Sequence, residues 1–161
     1  VQLMRDMGMT PAPMNAFLLN LGLETLHLRM PRHSENALKV AEFLENDDRV
    51  SWVNYPGLKS SKYRPLVEKY LKGGSGVVSF GVKGGRAAAV KFLDSLKIAA
   101  IVTHVADART CALHPASSTH RQLTDEQLVD AGISADLVRL SVGIENIEDI
   151  LEDLEQAFNK I

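Results

Sequence analysis

Apolar positions recur along the chain with two different periods, and the changes of period mark its elements. From Pro13 the period is helical: Met14, Phe17, Leu18 and Leu21 fall at i, i+3, i+4 and i+7, and Leu23, Leu26 and Met30 extend the stripe. Pro31 has no amide hydrogen and should kink or end that helix. A second stripe, Ala37, Leu38, Ala41 and Leu44, follows Ser34, a residue suited to an N-cap. Residues 1–10 carry neither period and read as an irregular lead-in. Val50–Tyr55 is β-branched and aromatic and stops at Pro56-Gly57, which predicts a strand. Tyr63–Leu71 predicts a short helix with Pro65 in its first turn, broken by Gly73-Gly74-Ser75-Gly76. Val77–Val82 predicts a second strand, closed by Gly84-Gly85, and Arg86–Leu96 a helix with Ala89, Phe92, Leu93 and Leu96 on one face.

Further on, Ile98–Val102 and Cys111–Leu113 predict short strands on either side of a polar segment, Thr103–Arg109. Thr124 with Gln127 is a capping-box pair opening a brief helix that ends at Gly132. Leu137–Val142 predicts the last strand, and Asn146 caps a final helix striped by Ile147, Ile150, Leu151, Leu154 and Phe158. Strands that alternate with helices long enough to cover a sheet face predict an α/β or α+β sandwich.

Composition narrows the choice of class. The 161 residues are 45% hydrophobic and 24% charged, which is globular and excludes disordered, collagen-like and coiled-coil chains. A formal net charge of −2 lacks the basic excess of a nucleic-acid binder. Cys111 is the single cysteine, so no internal disulfide and no thiolate metal cage can form, which suits a reducing compartment. The longest clean apolar run is Ile98–Val102, far short of the ~20 residues a membrane span needs. The first residues lack a signal-peptide pattern, and a cytoplasmic location is the expectation.

The last strand carries the strongest chemical signal. Alternation places Val138, Leu140 and Val142 on one face and Leu137, Arg139 and Ser141 on the other. A guanidinium in an apolar strand is costly unless paired, and its planar fork suits a carboxylate, either a substrate's or the protein's own. His114 and His120 flank a run of hydroxyl residues, but a third metal ligand at sensible spacing is missing, and so is a nucleophile elbow. That run reads as a polar loop. Thr103–Asp107 reads either as the lining of a polar pocket or as a turn, with Asp107 and Arg109 free to pair. Gly81–Gly85 precedes a helix but does not match a phosphate loop. Cys111, in an apolar strand, reads as inert packing.

Taken together, several segments resemble the Cys/Met-metabolism pyridoxal-phosphate (PLP) enzymes. They are Asn15–Leu19, Gly22–Leu26 with Arg29, Arg32-His33 and Asn36-Ala37, Val53–Leu58, Gly74–Phe80, His114–His120 and Leu137–Glu145. Val105–Arg109 and Thr119–Leu123 further resemble the branch that adds sulfide to O-acetylhomoserine, rather than the cystathionine enzymes. The resemblance implies a fold-type I PLP enzyme, with this chain matching a connecting helix over 1–33 and the smaller C-terminal, substrate-side domain over 34–161. It implies that Arg139 binds the α-carboxylate of an amino-acid substrate, with His104 and Val105 beside it and Thr119 at the border. It also implies a homo-oligomeric parent and a partner domain, N-terminal to this one, that supplies PLP. The family's cofactor lysine lies in a Ser-x-Thr-Lys context, and Lys59, Lys62 and Lys97 have no such context. No catalytic, cofactor-binding or metal-binding residue is therefore expected here, and the chain by itself is expected to bind no PLP and to be inactive. The alternatives are a related cystathionine synthase or methionine γ-lyase, or a free-standing amino-acid-binding or interaction module that reuses the domain.

Overall fold

The computed structural model describes residues 1–161. Its helices are α1 (Gln2–Asp6), α2 (Pro13–Glu24), α3 (Leu26–Glu45), α4 (Arg64–Tyr70), α5 (Gly85–Asp94), α6 (Asp125–Asp130) and α7 (Ile147–Phe158). Its strands are β1 (Val50–Asn54), β2 (Val77–Val82), β3 (Ala100–Ile101), β4 (Cys111–Leu113) and β5 (Leu137–Ser141). They form one sheet in the order β1-β2-β5-β4-β3, antiparallel except for the β3–β4 pair. This is the mixed α/β sheet covered by helices that the alternation predicts.

Period-2 burial makes the sheet two-faced. Val78, Phe80 and Val82 of β2, Val138 and Leu140 of β5 and Ala112 of β4 are fully buried beneath α3, α5 and α7. Phe92 of α5 meets Phe80 edge-on at 5.8 Å, and Phe158 of α7 lies 4.4 Å from Phe92, between ring centres. Aromatic pairs at such separations add stabilisation beyond the area they bury. Asn146 caps α7 through Glu148 N, as its position predicts, and Thr124 and Gln127 exchange both bonds of the capping box on α6.

Three expectations are corrected. Ser34 is no N-cap: α3 runs unbroken from Leu26 to Glu45, with Pro31 inside it, and the break falls earlier, at Thr25. Pro31 sits in the exposed second turn, where it forfeits one backbone bond. Beyond it the helix buries His33, Asn36, Ala37, Val40, Ala41 and Leu44, which outweighs that loss. At the break, Arg29 donates to the Gly22 carbonyl at 2.5 Å and to Thr25 Oγ1 at 3.1 Å, satisfying groups that the end of α2 leaves free. The lead-in is not wholly irregular, because Gln2–Asp6 form one helical stretch. The strand expected over Ile98–Val102 shrinks to Ala100–Ile101, the two residues that pair with β4. Just before it, the buried carboxylate of Asp153 accepts bonds from the amides of Lys97, Ile98 and Ala99 at 2.8–3.0 Å, pinning the α5–β3 turn to α7.

Candidate carboxylate-binding site

The second face of the sheet carries the chemistry. Antiparallel register sets Ser79 of β2 and Leu113 of β4 on either side of Arg139, and Val77 and Cys111 on either side of Ser141. Along β2 this face is partly open: Val77 is exposed and Ser79 half-buried. Along β4 it is closed, with Cys111 and Leu113 buried. Burial pushes the Cys111 thiol above its ordinary range, which fits inert packing.

Arg139 is half-buried and held by backbone rather than by a carboxylate. Its Nη2 donates to the Thr103 carbonyl at 2.9 Å and lies 3.5 Å from that of His104. Its Nε is buried without a partner, and Nη1 makes no bond within the chain. A guanidinium aimed by one carbonyl, with donors to spare and no protein carboxylate against it, is prepared for a ligand carboxylate.

The Thr103–Arg109 loop forms the wall beside it. Ala106 donates to Ser141 Oγ at 3.0 Å, and Ile144 donates to the Ala108 carbonyl at 2.9 Å. Asp107 accepts from the Arg109 amide at 3.0 Å, and its carboxylate lies 3.5 Å from the Arg109 guanidinium, so these two do pair. The Arg109 amide and side chain hold the Asp107 carboxyl below the usual carboxylate range. His104 projects outward, its Nδ1 3.7 Å from Asp107, and Val105 is exposed.

The candidates divide accordingly. Arg139, His104 and Val105 come together at one loop and strand. Thr119 lies beyond the short 3₁₀ turn Pro115–Ser117 and bonds His120 Nδ1 at 2.9 Å rather than any group of this loop. His114 is buried with both ring nitrogens used, Nδ1 accepting from Ser117 Oγ at 2.8 Å and Nε2 donating to the Ala135 carbonyl at 2.9 Å. It is a core histidine that ties the 115–135 segment to the sheet. The residue pattern had not singled out Ser141, Thr110 or Glu145, whose contacts with the loop span 35 positions of sequence.

The free donors of Arg139 suit a carboxylate, and the residues around them offer PLP no amine. That cofactor needs an amine to hold it covalently and a cup for its phosphate. None of the residues at Val77–Ser79, Thr103–Arg109 or Leu137–Ser141 is a lysine.

The fold agrees with sequence comparison. The family model described as Cys/Met metabolism PLP-dependent enzyme matches residues 1–159, and the chain belongs to that family. It is 48% identical to an O-acetyl-L-homoserine sulfhydrylase of Leptospira meyeri, over 100% of the chain and 37% of the relative. A homocysteine synthase of Schizosaccharomyces pombe is 49% identical over 97% of the chain and 37% of its own length. A solved Campylobacter jejuni structure, a putative O-acetylhomoserine (thiol)-lyase carrying a pyridoxyl-lysine monophosphate, superposes with a TM-score of 0.89. It is 42% identical over 98% of this chain and 38% of its own. The chain thus spans little more than a third of the length of the relatives it matches. PLP is the cofactor of its family.

Proposed function

We propose that this chain is the substrate-side part of a PLP-dependent O-acetylhomoserine sulfhydrylase, which joins sulfide to O-acetylhomoserine and releases homocysteine and acetate. Within it, Arg139 binds the substrate α-carboxylate, the loop at His104 and Val105 walls that site, and Thr119 borders it from farther off. The observation that carries this reading is the Arg139 guanidinium, fixed by the Thr103 carbonyl, with Nη1 unbonded and no carboxylate of the chain against it. Holding the carboxylate fixes the amino acid against rotation, which lowers the entropic part of the barrier. The cofactor and the lysine that holds it belong to the partner domain. The chain alone, given PLP, is expected to turn over no O-acetylhomoserine, and measurable turnover overturns that part of the reading.

Arg139→Ala in the PLP-loaded protein tests the assignment. Losing a charge-assisted pair should raise KM for O-acetylhomoserine about 100-fold. An unchanged KM overturns it.

Residues 1–32 support the partnership with a further domain and with a second copy. No residue among them is buried, and Phe17, Leu18, Leu19, Leu21 and Leu23 of α2 are all exposed. A helix that is apolar on every side is built to be covered. Light scattering on the chain should find dimers or larger species, and a monomer at all concentrations counts against this.

A further inference from the structure

The seam between the Thr103–Arg109 loop and the end of β5 has no role in the reading above. It fastens the loop whose carbonyls the Arg139 guanidinium meets. Thr103 and His104 hold that guanidinium through their carbonyls, so its direction follows the loop backbone. The loop backbone in turn is fastened to the protein at three places. Ser141 Oγ accepts from Ala106 N at 3.0 Å. The Ala108 carbonyl accepts from Ile144 N at 2.9 Å. Thr110, where the loop enters β4, donates to the Glu145 carboxylate through its amide at 2.5 Å and its hydroxyl at 3.0 Å.

Of these, the Ser141 tie lies nearest the carbonyls that matter. Ser141 is buried, sits two residues beyond Arg139 on the same strand and face, and makes no other side-chain bond. Its partner Ala106 has φ +59°, the left-handed region that a residue with a Cβ enters only at a cost. The Ser141 bond is a direct restraint on that conformation. Without it, Ala106 gains by relaxing to negative φ, and the Thr103 and His104 carbonyls move with it. Packing alone does not call for the hydroxyl: the register neighbours of Ser141 are Val77 and Cys111, which an alanine would suit as well.

We propose that Ser141 is a positioning residue for carboxylate recognition, aiming Arg139 by holding Ala106 and, through it, the Thr103 carbonyl. It touches no substrate, and the inference rests on Arg139 being the carboxylate binder.

The test is Ser141→Ala in the PLP-loaded protein, run beside Arg139→Ala, with KM and kcat measured separately. Loss of one neutral hydrogen bond that pre-aims the arginine should raise KM for O-acetylhomoserine about three- to tenfold and leave kcat within about twofold. Hydrogen exchange supplies a readout independent of turnover. The Ala106 amide should exchange about tenfold faster while amides of β2 and β5 keep their protection. If KM is unchanged in Ser141→Ala but raised in Arg139→Ala, the positioning role is wrong and the carboxylate reading stands. If Arg139→Ala also leaves KM unchanged, the carboxylate reading falls and the positioning role with it. Faster exchange throughout the sheet would make Ser141 a folding residue and overturn the proposal. Should Ser141→Ala not fold, Ser141→Cys keeps the volume with a weaker acceptor, and the same KM and kcat split decides.

Discussion

One strand, β5, serves two faces of the sheet under different rules. Toward the helices it sends Val138 and Leu140, both at 0% exposure, into a core where Phe80, Phe92 and Phe158 interlock. Toward the other side it sends Arg139 and Ser141, whose partners are the backbone of a loop. The first face gains its free energy from apolar burial and close packing. The second keeps an unpartnered Arg139 Nε and an alanine at positive φ, features that cost stability. Stability is built on one side of the sheet, and the groups suited to recognition are held, at some expense, on the other.

Substitutions can separate the two faces. The largest effect should come from Phe80→Ala, which removes a fully buried ring that two other aromatics contact. A loss of about 3–5 kcal/mol in unfolding free energy is expected by denaturant titration. While the protein stays folded, KM should hardly move, and a large KM change would mean that the faces are not independent. Arg139→Ala should do the reverse, shifting stability by less than about 1 kcal/mol despite its large effect on KM. The smallest effect is expected from Ala106→Gly. Glycine accepts φ +59° without strain and keeps the amide that Ser141 holds, so stability should rise by about 0.5–1 kcal/mol with KM unchanged. A destabilised Ala106→Gly would show that the loop conformation is not strained there.

Much of the sheet was legible because strand signals are local. Alternation placed Arg139 opposite Val138 and Leu140 correctly, and Pro56-Gly57 and Gly84-Gly85 closed β1 and β2 close to where they end. The helix boundary near Ser34 was not legible. Pro31 is a local stop signal, and what overrides it is burial of the α3 face against strands far along the chain. Asp153 carries no local signal of its role, because the three amides it caps lie more than fifty positions away.

The sequence by itself determined the alternation of elements, the apolar faces and, through runs such as Leu137–Glu145, the family. These are properties of residues close together in the chain, where period and spacing are visible. Only the tertiary structure decided that Thr103 meets Arg139, that Ser141 holds Ala106 and that the Thr119 hydroxyl meets His120. Each of those depends on which groups folding brings within about 3 Å of a side chain, and short-range pattern carries no record of such meetings.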